Sequence, residues 1–187
     1  DALLVGGVDE LSAILWHSLN ALRAIKPLRH TGPLAPWQVP CGRGFIPGEA
    51  ATCLVVTARE MAGEPRMTPY GRLLALELGG VRTGQGHYPA DDAALADTLR
   101  AALESARLVP GDIDLIGLAA NGVAELETLE GSALRKVFGA GWEQIPRLPL
   151  RYAVGEFGGA GLLTVATILL VLREGVIPPA IVGPCLT

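Results

Sequence analysis

Between Leu150 and Pro179 the chain runs LRYAVGEFGGAGLLTVATILLVLREGVIPP. A short extended segment is predicted first, then a glycine-rich turn at Gly155, Gly158, Gly159 and Gly161. A helix follows from about Ala160 to Arg173, and a Gly-Val-Ile-Pro-Pro exit closes the stretch. Leu162, Leu163, Val165, Ile168, Leu169, Leu170, Val171 and Leu172 cover every side of that helix, which predicts that protein encloses it all round. Arg173 and Glu174 end an apolar run too short to cross a bilayer, so no membrane span is expected. Glycines ahead of a wrapped helix let backbone come close to backbone or ligand, which places a core element beside a site.

Composition narrows the classes. The 187 residues suffice for one domain. Half of them are hydrophobic and 18% are charged, below the roughly 25% of an average soluble chain, so much of the surface is expected to be covered by other polypeptide. A net charge of −4 without a basic block, and 5% aromatic residues, argue against a nucleic-acid groove. Cys41, Cys53 and Cys185 are odd in number, widely spaced and without a CxxC pair, so reduced thiols in a cytoplasmic compartment are expected and a zinc site is not.

Outward from the helix, Ala2 to Val5 is an apolar run closed by Gly6-Gly7, which predicts an interior strand ending in a tight turn. Asp9, Glu10 and Ser12 open a helical pattern through Leu15, Leu19, Leu22 and Ile25. Pro27 to Gly44 reads as a loop, and Thr52 to Thr57 as a strand containing Cys53. Leu73 to Val81 predicts a further strand, followed by a polar loop from Thr83 to Asp92. A helix is expected from about Asp92 to Leu108, with Leu95, Leu99, Ala102, Leu103 and Ala106 on one face. Ile113 to Leu118 reads as the next strand, completing a right-handed parallel unit. A helix from Glu127 to Phe138 and a strand from Ile145 to Leu150 lead back to the opening stretch.

The segments Val-Gly-Gly at 5–7, Gly-Phe-Ile-Pro-Gly-Glu-Ala-Ala at 44–51, Ile-Asp-Leu-Ile at 113–116, Val-Phe-Gly at 137–139 and Gly-Val-Ile-Pro-Pro at 175–179, in this order, resemble the β-ketoacyl synthases. These are the thiolase-fold condensing enzymes of fatty acid and polyketide synthesis. The resemblance implies an α/β, thiolase-like layered α-β-α-β-α fold, present in part. Residues 1–72 would end the N-terminal half, and residues 73–187 would form a truncated C-terminal half. It also implies that the chain begins in mid-fold, with the nucleophile upstream of Asp1 and the final strands absent. Such an excerpt is expected to leave inner helices facing water.

The chemistry departs from the family pattern. Arg151 stands where the family has lysine and Gly155 matches its glycine, but Glu156 stands where it has a catalytic histidine. In the stretch Ala-Ala-Asn-Gly-Val-Ala-Glu-Leu-Glu at 119–127, Asn121 stands where a His-Gly-Thr motif has the other histidine, and the connection to the next helix is shorter. The candidate site is therefore Asn121, Glu156 and Arg151, the family's catalytic positions in substituted form. An amide has no proton to exchange near neutral pH, and an ionised carboxyl only accepts. Ionised, Glu156 would repel a developing enolate. Pairing of Glu156 with Arg151 or another base is the structural alternative.

His17, His30 and His87 fall at no family catalytic position and are read as surface or partly packed residues. Glu125, Glu127 and Glu130 are read as carboxylates lining a helix N-terminus rather than a metal site, and the 158–161 glycine run as close helix packing rather than a phosphate cradle. Neither a cofactor nor a metal is implied.

The pattern is closest to chain-length factors, whose partners would be an active ketosynthase subunit or a second copy of the chain, an acyl carrier protein and an acyl chain. An active 3-oxoacyl-[acyl carrier protein] synthase with a divergent site, and a decayed domain that keeps only structure, remain alternatives. Whether the chain is itself an enzyme is left open by the residues.

Overall fold

The computed structural model describes residues 2–27, 41–61, 68–84 and 87–177. Strand β1 (Ala2–Asp9) pairs antiparallel with β2 (Ala50–Thr57) through all eight residues, from Ala2 opposite Thr57 to Asp9 opposite Ala50. Helix α1 (Ala13–Ala21) lies between them in sequence. Then come α2 (Ala93–Ala106), β3 (Ile116–Gly117), α3 (Ala124–Phe138), β4 (Arg147–Leu148), the single turn α4 (Arg151–Val154) and α5 (Ala160–Glu174). Strands β3 and β4 pair in parallel, with α3 as the crossover.

Helix α5 organises this arrangement, because it packs on β1, β2 and β3 and so lies against both small sheets. Small residues make that approach possible. A Cβ on Gly7 would lie 3.2 Å from Gly159 Cα, and one on Gly117 would lie 2.7 Å from the Thr164 side chain and 2.8 Å from that of Ile168. On the far side of β3, α2 and α3 pack on each other. The core there is Leu118, Ala120, Leu134, Trp142 and Tyr152, with Leu99, Ile116 and Phe138 against it. Leu99 lies on the helix face that periodicity selects, although Ala96 is the residue of α2 that becomes fully buried.

Several expectations are corrected. Strand β1 does not turn at Gly6-Gly7 but runs on to Asp9, since those glycines serve helix contact rather than chain reversal. Nor is it interior, for Leu3, Leu4 and Val8 are exposed. Helix α1 starts only at Ala13, capped by the Ser12 hydroxyl, which accepts the Leu15 N–H at 3.2 Å. Asp9 instead caps elsewhere: its carboxylate accepts the Gly158 N–H at 2.7 Å, ahead of α5, where the helix dipole favours negative charge. Ile25 lies beyond α1 and bridges to Phe45.

Residues 73–81 form no ladder with any described residue, and Leu73, Leu76 and Leu78 are exposed, because no described strand lies alongside them. The parallel unit is therefore β3-α3-β4, not one built from residues 73–118. Both of its strands are only two residues long. Residues 151–154 are helical, not extended, and α3 starts at Ala124, ahead of Glu127. Helix α5 is not enclosed all round: Val165, Leu170 and Leu172 face open space because the described strands cover only part of its circumference.

Cys53 is a free, exposed thiol, whereas Cys41 is disulfide-bonded, which corrects the expectation of a reduced thiol there. His17 and His87 are exposed, and His30 lies outside the described residues, as do Pro178 and Pro179 of the exit. Among the described residues, no helix is long and apolar enough to cross a membrane, and no cluster could hold a metal ion.

Candidate functional site

Two loops build the site. The first, residues 118–123, leaves β3 and enters α3, and its backbone is held almost atom by atom. Leu118 N–H continues the parallel ladder to Leu148 O at 3.1 Å. The Glu130 carboxylate then accepts the Ala119 and Ala120 N–H groups at 2.7 and 3.0 Å. Glu127 Oε1 accepts the Gly122 N–H at 2.8 Å and also the Tyr152 hydroxyl. Gly122 O accepts from Lys26 Nζ and from Gly42 N–H, both at 2.9 Å. A loop fixed this tightly leaves Asn121 little freedom. Its Oδ1 takes the Val123 N–H at 3.1 Å, which turns Nδ2 toward the second loop.

The second loop joins α4 to α5 and lies against residues 46–48. Glu156 N–H donates to Ile46 O at 2.8 Å, and Gly48 N–H donates to Glu156 O at 2.9 Å. Gly155 turns here with φ +81°, and a Cβ on Gly48 would fall 2.0 Å from Val154 O. Two glycines are thus needed for the strands to touch. The clamp delivers the Glu156 carboxylate to Asn121, whose Nδ2 donates to Oε2 at 2.6 Å. Arg151 Nε lies 3.4 Å from Glu156 Oε1, while its Nη1 donates to Ala119 O at 2.6 Å.

All three residues selected from sequence therefore meet, and Glu156 pairs with Arg151. Each carboxylate oxygen of Glu156 has a partner, and Asn121 spends its amide on Glu156 and on its own helix start. As arranged, the group exchanges no proton through Asn121.

The supporting charges were not selected from sequence as site residues. Burial pushes the Glu130 carboxyl up, against the two loop N–H groups and Arg151, which favour its ionised form. Burial and the neighbouring Glu127 hold the Tyr152 phenol far above its ordinary value, so it stays a donor. Burial lowers Lys26, opposed by Glu127. The clue in the sequence is the spacing of Glu127 and Glu130, three apart and hence on one face of α3. Glu127 lies in the first turn of α3 as expected, whereas Glu130 lies a turn further on, and both hold the 119–122 backbone in place.

Because Glu130 titrates above its ordinary value in the folded chain, its contribution to stability is present at pH below the unfolded value and is lost as pH rises through the folded one. In urea titrations across the weakly acidic range, Glu130→Gln is therefore expected to show a flatter decline of midpoint with rising pH than the parent. Parallel slopes would refute this.

Tyr88 is the other residue that sequence reading passed over. It lies close enough to the site to feel its charges: burial and the Glu156 carboxylate push its phenol up, opposed by the Asn121 side chain and Arg151. Nothing in a polar loop between His87 and Pro89 announces such a role. Beside the site, a groove of about 510 Å³ is lined by Trp16, Asn20, Arg23, Ile25, Lys26, Pro27, Arg43, Ile46 and Pro47. Asn121, Arg151 and Glu156 do not line it, though Lys26 and Pro47 reach from it to the Gly122 and Glu156 backbones.

Known proteins share this architecture. A type II polyketide acyl-carrier protein complex with its ketosynthase superposes with a TM-score of 0.83 at 21% identity, over 99% of this chain and 48% of that one. A ketosynthase in complex with its chain length factor, from Xenorhabdus doucetiae, gives 0.77 at 23% identity, over 96% of this chain and 41% of that one. The fold is thus thiolase-like and α/β, with the chain covering part of it. In sequence, the tetracenomycin polyketide synthase ketoacyl synthase beta subunit of Streptomyces glaucescens is 35% identical over 74% of this chain and 33% of its own length. The chain spans less than half the length of each of these proteins. Residues 74–183, well over half of the chain, match the β-ketoacyl synthase C-terminal domain. The chain therefore belongs to the β-ketoacyl synthase family.

Proposed function

We propose that this chain is part of a β-ketoacyl synthase-like subunit of polyketide or fatty acid biosynthesis that does not itself condense, and that it acts as a chain-length-factor-like partner of an active ketosynthase. One observation carries this reading: Asn121 Nδ2 donates to Glu156 Oε2 at 2.6 Å, so the two positions that would hold histidines satisfy each other. Condensation calls for donors aimed at an oxyanion that forms only during reaction. A carboxylate placed there accepts rather than donates, and its charge opposes an enolate. The likeness to a ketoacyl synthase beta subunit, and to ketosynthase assemblies containing a chain length factor or an acyl-carrier protein, supports the same partners here.

The test is reconstitution. Full-length protein, alone, is expected to leave malonyl-carrier unconsumed. Added to an active ketosynthase partner, it is expected to raise condensation by about 100-fold over the ketosynthase alone, roughly 2.7 kcal/mol of barrier. Turnover by the protein in isolation would overturn the proposal in favour of an active synthase with a divergent site.

A further inference from the structure

Asn121 is followed by Gly122, and an asparagine-glycine pair is open to ring closure on its own backbone. The amide nitrogen of the second residue attacks the side-chain carbonyl carbon of the first, and glycine puts no Cβ in the way. Position 122 cannot shed that liability by taking a bulkier residue. Gly122 has φ +90°, a conformation that strains any L side chain. The loop therefore has to keep the two groups apart by contacts.

Such contacts are in place on each reacting group. The Gly122 nitrogen, the would-be nucleophile, donates its N–H to Glu127 Oε1 at 2.8 Å. Ring closure requires that nitrogen to lose its proton, and a carboxylate beside it disfavours the anion. Gly122 O is held at the same time by Lys26 Nζ and the Gly42 N–H, both at 2.9 Å, so the glycine is fixed at both ends. The Asn121 side chain, the would-be electrophile, is also tied twice. Its Oδ1 accepts the Val123 N–H at 3.1 Å, and its Nδ2, the group that would leave, donates to Glu156 Oε2 at 2.6 Å. Both Asn121 and Glu127 are buried, which limits the water that the reaction consumes.

We propose that Asn121-Gly122 is a latent self-modification site and that Glu127 is the residue that keeps it closed. In the step held off, a bond forms between Gly122 N and Asn121 Cγ, the Cγ–Nδ2 bond breaks, and ammonia leaves with the Gly122 proton. One water then opens the ring, at Cγ to leave aspartate or at the Asn121 backbone carbonyl to leave isoaspartate. Aspartate would set a carboxylate against Glu156 Oε2 where an N–H donor now lies, and isoaspartate would lengthen the loop backbone by a methylene group. Either product ends the pairing of positions 121 and 156.

The test ages full-length protein in mildly alkaline buffer and reads residue 121 by peptide mass spectrometry and by isoaspartyl-specific methyl transfer. Parent held unfolded in urea is expected to convert at Asn121 at least about tenfold faster than folded parent. Folded Glu127→Ala is expected to convert about tenfold faster than folded parent, the rate change that loss of one charge-assisted hydrogen bond carries. Since Glu127→Ala also loosens the fold, the core variant Leu134→Ala is the control: it weakens packing without removing the acceptor of the Gly122 N–H. The two variants are compared at equal distance below their melting points. Conversion in Glu127→Ala no faster than in Leu134→Ala overturns the role of Glu127, and equal rates in folded and unfolded parent overturn the protection altogether. Should Glu127→Ala not fold, Glu127→Gln takes its place, because it keeps an acceptor oxygen and removes the charge; conversion no faster than the parent then overturns the proposal. Malonyl-carrier turnover bears on none of these outcomes, since the loop geometry alone carries them.

Discussion

Replacing Gly48 with alanine is expected to destabilise the protein by at least about 4 kcal/mol, the exceptional end of single substitutions. The added Cβ would lie 2.0 Å from Val154 O and 3.0 Å from both Gly155 Cα and Val154 C. These are backbone atoms, so no rotamer change relieves the overlap. Gly155 is equally committed, since its own Cβ would fall 2.8 Å from Gly48 N and Cα, and its φ of +81° disfavours any side chain. Separating the two segments breaks the hydrogen bonds from Gly48 N to Glu156 O and from Glu156 N to Ile46 O. Those bonds aim the Glu156 carboxylate, so the Asn121 contact is expected to go with them. For a chain of this size the loss corresponds to a melting point lower by roughly 10 °C or more. A Gly48→Ala protein melting within a degree or two of the parent would show that the two segments are not clamped as described.

Glu127→Ala is expected to cost about 3–5 kcal/mol, the range for removing one partner from a buried charged network. Glu127 is 4% exposed, and its Oε1 accepts both the Gly122 N–H and the Tyr152 hydroxyl. Tyr152 is 2% exposed, so its hydroxyl would be left without an acceptor inside the core. Lys26, 7% exposed, would lose the carboxylate that opposes its desolvation. Chemical denaturation of parent and variant measures the difference. Glu127→Gln retains one acceptor oxygen and is expected to recover part of the loss, which separates lost hydrogen bonding from lost volume. A fully stable Glu127→Ala would mean that water serves these groups as well as the carboxylate does.

Patterns local in sequence were legible. A dense run of Leu, Ile and Val after a glycine turn marked α5 to within a residue, and α2 was bounded by its apolar spacing. Strand β2 was legible from Thr52 to Thr57, and it starts two residues earlier, at Ala50. Misreadings arose where a residue answers to a distant neighbour. Gly6-Gly7 looks like a turn until Gly159 lies across Gly7, and Asp9 looks like a helix start until Gly158 donates to it. Residues 73–81 have the apolar composition of a strand, but a strand also requires a partner edge, which no described residue supplies.

For this protein the sequence by itself determined the order and type of most elements and the chemical identities at 121, 151 and 156, because periodicity and side-chain chemistry are properties of short stretches. Only the tertiary structure decided that those three side chains are spent on one another, and that Glu127 and Glu130 hold the loop beneath. Such contacts bridge as many as 35 residues, as from Asn121 to Glu156. They depend on backbones brought together by glycines and long-range hydrogen bonds, and no local pattern encodes which partner a polar group will meet.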